Sequence, residues 1–207
     1  MRIRALLPGV LALFFYAPAF ADTPPAAQRS ASHTETAILA GGCFWCLEAD
    51  FEKLDGVVDV VSGYTGGHVD NPTYKQVSAG GTGHVESVEV TFDADKITYP
   101  QILDYFWHHI DPTRDDGQFC DQGSQYRPVI FYRDETQHQQ ALASEKQIAR
   151  TKPFAQPLKV EIARAGTFYP AEEYHQDYYR KNPVRYHFYR YNCGRDARVE
   201  TLWGESH

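Results

Sequence analysis

Apolar positions along this chain recur with two periods, and the changes of period mark the element boundaries. Thr36 to Ala40 is a short apolar strand, broken by Gly41 and Gly42. Phe44, Leu47, Phe51 and Leu54 then follow at helical spacing, which predicts a helix opening at Cys43 and stopped by Gly56. Val57 to Ser62 is a β-branched strand, followed by a glycine-rich loop, GYTGGHVDNP. Glu86, Val88, Val90 and Phe92 alternate with Ser87, Glu89 and Thr91, the period of a half-buried strand. Thr98 and Pro100 open a helix running through His109, with Ile102, Leu103 and Phe106 on its core face. A loop rich in Asp, Gly and Gln runs to Gln125. Pro128 to Tyr132 is a strand, Glu135 to Arg150 a helix, and Leu158, Val160 and Ile162 mark a last strand.

The resulting order, β-α-β, β-α-β and then α-β, predicts an α+β fold of the ferredoxin-like two-layer sandwich type. From about residue 166 the chain is aromatic-rich and is expected to wrap the domain as an irregular C-terminal tail. Residues 1–21 read as a signal peptide: Arg2 and Arg4, an apolar run from Leu6 to Tyr16, and Ala19-Phe20-Ala21 as a cleavage site. The apolar run is too short to span a bilayer. Residues 22–34 are rich in Pro, Ala, Ser and Thr and are expected to be a disordered leader. Residues 35–207 then form a single catalytic domain.

Charge narrows the partners. Without Arg2 and Arg4 the chain carries 18 basic against 27 acidic side chains, a formal charge of −9. An exported acidic protein is a poor match for nucleic acid or for an anionic membrane. Seven tyrosines between Tyr169 and Tyr191 are interleaved with Arg and Lys, a pattern that can bind single strands. On an acidic exported chain it reads instead as a packed tail. Export also places the four cysteines in a disulfide-permissive compartment, where two structural disulfides are one reading, with a connectivity that spacing does not reveal. The only methionine is Met1, a composition suited to work among oxidants.

The chemistry concentrates on GGCFWCLE, residues 41–48. Cys43 at a helix start is a candidate nucleophile, because the positive end of a helix lowers a thiol pKa. Cys46 completes a C-x-x-C, so a thioredoxin-like dithiol acting on protein disulfides is an alternative reading. A zinc site is not indicated, since Cys120 and Cys193 are isolated and do not form a second pair. Phe44 and Trp45 project about 100° apart at the helix start. Both cannot face the core equally, so they are expected to border an apolar cup. Glu86 shares a strand face with apolar residues, where burial raises a carboxyl pKa and makes a neutral proton donor. Tyr64 and Tyr126 lie on loops able to present hydroxyls, with Asp121 and Gln125 beside the second.

The segments GCFWCLE, GYTGG, NPTY, GHVESVEV, DQGSQYRPVIF and AEEYHQDYYRKNP occur in one order across most of residues 37–183. In this set the chain resembles the A class of peptide methionine sulfoxide reductases. The resemblance implies a ferredoxin-like α+β core and reduction of methionine-S-sulfoxide, free or in proteins, without metal or cofactor. Cys43 would be the nucleophile and become a sulfenic acid. Phe44 and Trp45 would line the methyl pocket, with His175 bordering it. Glu86, Tyr64 and Tyr126 would hold and protonate the sulfoxide oxygen, assisted by Asp121. Family members carry resolving cysteines in a C-terminal tail near glycine. That makes Cys193, beside Gly194, the expected resolver, with Cys46 the alternative and Cys120 a third choice. A thioredoxin-like reductant would restore the thiols of a monomeric enzyme in the bacterial periplasm.

Overall fold

A computed structural model describes residues 33–204. The predicted signal peptide, and all of the predicted leader up to residue 32, lie outside the described residues. The first strand, β1 (Thr34–Ala40), begins within the last residue assigned to that leader. It is followed by α1 (Phe44–Phe51), β2 (Val57–Thr65), α2 (Tyr74–Ser78), β3 (Val85–Asp93) and α3 (Tyr99–Trp107). A short hairpin, β4 (Gly117–Gln118) and β5 (Asp121–Gln122), precedes β6 (Val129–Tyr132), α4 (Glu135–Thr151), β7 (Glu161–Arg164) and β8 (Tyr169–Pro170). Three helices close the chain: α5 (Tyr178–Lys181), α6 (Pro183–Cys193) and α7 (Arg195–Trp203). None of the described helices is long and apolar enough to cross a membrane.

The fold is mixed α+β. Six strands form one sheet in the order β7-β6-β1-β3-β2-β8, with β1 antiparallel to both β3 and β6, and β6 parallel to β7. Both faces of β1 are covered. Ala37 and Leu39 join the main core with Leu47, Phe51, Ile102 and Phe106, whereas Ile38 and Ala40 pack on the other face with Val85, Val129 and Phe131. This is why Thr36–Ala40 reads as continuously apolar instead of alternating. On β3, Val88, Val90 and Phe92 face the main core, and Glu86 shares that face at 2% exposure, as the alternation predicts.

The C-terminal segment is not the irregular tail expected. Tyr186, Tyr189 and Cys193 fall at helical spacing on α6, with Pro183 at its first turn and Gly194 left-handed at its end. Tyr178 and Tyr186 bury against Cys43, Cys46 and Ala49 on the outer face of α1, with Trp45 and Tyr189 packed beside them. The cationic residues within and just after the aromatic run make specific bonds. Arg190 pairs with Asp50 (2.8 Å), Arg195 donates to the carbonyls of Gly41 and His109, and Arg198 pairs with Asp111 (2.7 Å). Aromatic–basic interleaving is here a helix face plus its anchors.

The loop before β6 also holds more order than its composition suggests. The Gln118 side chain is fully buried and bridges the backbone of Asp111, accepting from its N–H and donating to its carbonyl, both at 2.8 Å. That bridge seats the β4–β5 hairpin against Gly42, where an added Cβ would lie 2.7 Å from Gln118 Cβ. Gln118→Leu strands both Asp111 backbone groups without partners, and the expected loss is about 2 kcal/mol or more. A fall in the urea midpoint at unchanged m-value measures it.

Candidate active site

The turn between β1 and α1 sets the geometry. Gly42 has φ +87°, which an L side chain rarely adopts, and Cys43 occupies the N-cap with its carbonyl accepting from Cys46 N–H at 3.1 Å. The first free amide of α1, that of Phe44, donates to Glu86 Oε2 at 3.1 Å. A carboxyl from β3 therefore caps the helix that presents the thiol.

Cys43, Phe44, Trp45, Tyr74, Glu86, Asp121, Tyr126 and Tyr189 line one small cavity of about 70 Å³. Six of these eight were singled out in the sequence: Cys43, Phe44, Trp45, Glu86, Asp121 and Tyr126. His175 is buried behind the wall. It accepts a hydrogen bond from Trp45 Nε1 on Nδ1 (3.0 Å) and packs 5.1 Å from the Phe44 ring. Trp45 is further held by Tyr178, stacked at 3.6 Å.

Tyr64 does not line the cavity. The second strand runs on to Thr65, past its predicted end at Ser62, so Tyr64 sits on β2 directly opposite Glu86 and not on a loop. Its hydroxyl donates to Glu172 Oε2 (2.9 Å), whose other oxygen accepts from the backbone N–H of Tyr74 (2.8 Å). Tyr64 thus anchors the segment that carries Tyr74, and Tyr74 brings its ring to the cavity. The sequence did carry a signal for Tyr74. Thr73 and Gln76 form a capping box that starts α2 at Tyr74. Tyr189 was visible only as one of several tail aromatics. It donates to Asp121 Oδ2 at 2.6 Å.

Burial dominates the electrostatics. It pushes the Glu86 carboxyl up to about 8, against the lowering effect of the Phe44 hydrogen bond and with further raising by the neighbouring Asp121. Burial likewise raises Asp121 and Tyr126, and brings Tyr74 to about 12. The expected lowering at Cys43 does not occur in the resting site. The thiol is 7% exposed, and burial raises its pKa well above the ordinary value, helped by its hydrogen bond to Cys46. Cys46 moves the other way, lowered by the hydrogen bond from Cys43 and by the charges of Arg195 and Arg190. One eight-residue helix start is too weak a positive end to offset full desolvation of a thiolate.

The remaining cysteines are paired. Cys120, in the β4–β5 turn, is joined by a disulfide to Cys193 at the end of α6, while Cys43 and Cys46 are free. The expected resolver is therefore engaged elsewhere, and the thiol adjacent to Cys43 is Cys46. Cys120, Asp121 and Cys193 do bring three ligand-type atoms within 4.8 Å of one another. Two of those atoms are the bonded sulfurs, which removes the thiolates a metal would need.

The arrangement is a buried thiol, a neutral acid and three phenols converging on a pocket of methyl-group scale, with a second thiol one helical turn away. Known proteins resemble the chain over most of its length. The family model described as peptide methionine sulfoxide reductase matches residues 35–207. A Vibrio cholerae protein, peptide methionine sulfoxide reductase MsrA/MsrB, is 55% identical over 185 residues, 89% of this chain but 49% of its own length. The Bacillus licheniformis peptide methionine sulfoxide reductase MsrA is 46% identical over 177 residues, covering 86% of this chain and 98% of its own. Among solved structures, methionine sulfoxide reductase A of Corynebacterium diphtheriae superposes with a TM-score of 0.69 at 34% identity, covering 73% of this chain and 76% of its own. Reduced Mxr1 from Saccharomyces cerevisiae gives 0.68 at 30% identity, covering 72% and 86%. The chain belongs to the peptide methionine sulfoxide reductase family, as an A-type enzyme that reduces methionine sulfoxide through a thiol.

Proposed function

We propose that Cys43 attacks the sulfur of a methionine-S-sulfoxide whose oxygen is held by Glu86, Tyr126 and Tyr74, with Phe44 and Trp45 receiving the methyl group. The observation that carries this reading is Glu86, a carboxyl kept neutral up to about pH 8 in the cavity that holds the thiol. Sulfoxide sulfur is a poor electrophile until its oxygen is hydrogen-bonded or protonated, and a neutral buried acid supplies that proton. The oxygen leaves carbon-bound sulfur and joins Cys43 as a sulfenic acid. The thiol proton of Cys43 replaces the one that Glu86 gives, so sulfoxide plus thiol becomes sulfide plus sulfenic acid. Asp121 acts through Tyr189, whose hydroxyl it orients, and His175 holds the indole of Trp45. Tyr64 acts one step further out, on Glu172.

Cys46, one turn along α1 and the free thiol beside Cys43, is placed to condense with a Cys43 sulfenic acid, releasing water. The product is a Cys43–Cys46 disulfide. A thioredoxin-like dithiol is the expected donor; Mxr1 of yeast has been solved in complex with Trx2. The antiparallel order β6-β1-β3-β2 with α1 and α3 on one face supports the ferredoxin-like sandwich reading of the core. Export to the periplasm is the reading of residues 1–21, and a monomer is the expected state. The small cavity takes the end of a methionine side chain and does not choose between free and protein-bound substrate.

The thiol–disulfide oxidoreductase alternative uses the same C-x-x-C but leaves Glu86, Tyr74 and Tyr126 without a task. Cys43→Ser is expected to abolish methionine release even in a single turnover, and any residual burst removes Cys43 as the nucleophile. Glu86→Gln should slow the first step by about 10²-fold or more. In the parent enzyme that step is level below pH 8 and falls above it, because the protonated carboxyl is the active form and its pKa lies near 8. Stopped-flow release of methionine against pH should lose this descending limb in Glu86→Gln. The phenols separate by position: Tyr126→Phe and Tyr74→Phe should each cost about tenfold in kcat, and Tyr64→Phe less. Equal losses at all three would return Tyr64 to the oxygen site. Cys46→Ser should release one methionine and leave a sulfenic acid that dimedone traps; rapid appearance of a Cys43–Cys193 disulfide instead would assign resolution to Cys193.

A further inference from the structure

Glu48 closes the GGCFWCLE stretch, yet it does not line the cavity. It sits on α1, one turn beyond Trp45, and is 1% exposed. A carboxyl buried that deeply is costly unless it holds something. Its Oε1 accepts from the backbone N–H of Asp177 at 2.9 Å, whereas Oε2 is buried without a hydrogen-bond partner among the described residues. Asp177 has φ +51°, a left-handed backbone that a non-glycine residue keeps only where its surroundings hold it. Gln176, just before it, is fixed to the sheet. Its Oε1 accepts from Ser62 N–H and its Nε2 donates to the carbonyls of Ser62 and Ala171, all at 2.9 Å. The side-chain amide thus stands in for a strand partner at Ser62, next to the β2–β8 pair of Gly63 with Pro170. The residues on either side of Gln176 and Asp177 both grip Trp45. His175 accepts from the indole Nε1 at 3.0 Å, and Tyr178 stacks on the indole at 3.6 Å with the planes 4° apart. Residues 175–178 therefore act as a clip. Its inner pair is anchored to β2 and α1, and its outer pair holds one ring of the cavity wall.

We propose that Glu48 and Gln176 are positioning residues that set the width of the methyl pocket, and with it the preference for a methyl over a larger group on the sulfoxide sulfur; this rests on the reading of Trp45 as a wall that receives the methyl group. A cavity of about 70 Å³ holds little beyond such a group, so a small shift of the indole changes what fits. Without the Glu48 acceptor, the Asp177 N–H loses its partner and the left-handed turn relaxes, carrying the Tyr178 ring off Trp45. Without the Gln176 amide, the His175 side of the clip is released from β2. Burial raises the Glu48 carboxyl to about 7, against the lowering effect of the Asp177 hydrogen bond. Glutamine, neutral and of the same shape, keeps the acceptor, and leucine removes it.

The test compares steady-state kinetics of the full chain on methionine-S-sulfoxide and on its S-ethyl homologue, ethionine-S-sulfoxide. The parent should favour the methyl substrate by about tenfold or more in kcat/KM, the worth of one methylene in a fitted apolar pocket. In Glu48→Leu the KM for methionine-S-sulfoxide should rise about tenfold with kcat within about twofold, and the methyl preference should narrow to about threefold or less. Glu48→Gln should rescue both quantities to within about twofold of the parent. Introduced into a Trp45→Ala background, Glu48→Leu should cost no more than about twofold further, because its effect passes through the indole. A folded Glu48→Leu that loses kcat and keeps the methyl preference overturns the proposal and leaves Glu48 a purely structural residue. A full additional loss in the Trp45→Ala background overturns it as well. Where Glu48→Leu does not fold, Gln176→Met carries the same comparison from the β2 side, with the same narrowing expected and an unchanged preference counting against the clip. A parent that turns over both substrates equally would instead sink the reading of Trp45 as the methyl-receiving wall.

Discussion

The amide of Phe44 donating to the carboxyl of Glu86 is the contact on which the active site depends. It joins the first turn of α1 to β3 and fixes the thiol at the N-cap relative to the acid on the strand. An acid placed there loses its hydration, and ionising it without a paired cation is costly, so it stays protonated at neutral pH. A protonated carboxyl can still accept through its carbonyl oxygen, which satisfies the helix amide, while keeping an O–H to donate. The same burial makes the resting Cys43 a thiol, not a thiolate. Resting enzyme is therefore protonated at both centres.

The C-terminal helices supply the second condition. Burying α1 on its outer side needs apolar area, and Trp45, Tyr178, Tyr186 and Tyr189 provide it while keeping polar tips for Asp121 and His175. Arg190 and Arg195 hold that cover down through Asp50 and the carbonyls of Gly41 and His109. These same guanidinium groups favour the ionised form of Cys46. Packing and thiol chemistry are thus set by one segment, which also carries Cys193.

Much of the framework was legible in period alone. The alternation on residues 86–92 put Glu86 among Val88, Val90 and Phe92 before any coordinate did, because a strand has only two faces. The helix at Phe44 followed from its 3.6 spacing. What misled was composition. GYTGG reads as a loop, yet β2 runs through Gly63 and Tyr64 because Phe168 and Tyr169 cross so closely there that a Cβ on Gly63 would lie 2.4 Å from the Phe168 ring. The tail looked irregular because its aromatics fall between charges, although Pro183, Gly194 and the spacing of Tyr186, Tyr189 and Cys193 spelled a helix.

The sequence by itself determined the types of group available and the faces on which regular elements present them: a thiol at a helix start, an acid on an apolar strand face, and two aromatics beside the thiol. Those follow from local periodicity and chain direction. Tertiary structure decided which phenols reach the cavity, since Tyr64 is spent on Glu172 while Tyr74 and Tyr189 arrive from α2 and α6. It also decided the direction of the Cys43 shift, because desolvation depends on everything packed above the thiol and the helix end contributes only locally. Cysteine pairing was settled at the same level: bringing Cys120 and Cys193 together across 73 positions requires the hairpin and α6 to meet, and no spacing rule encodes that meeting.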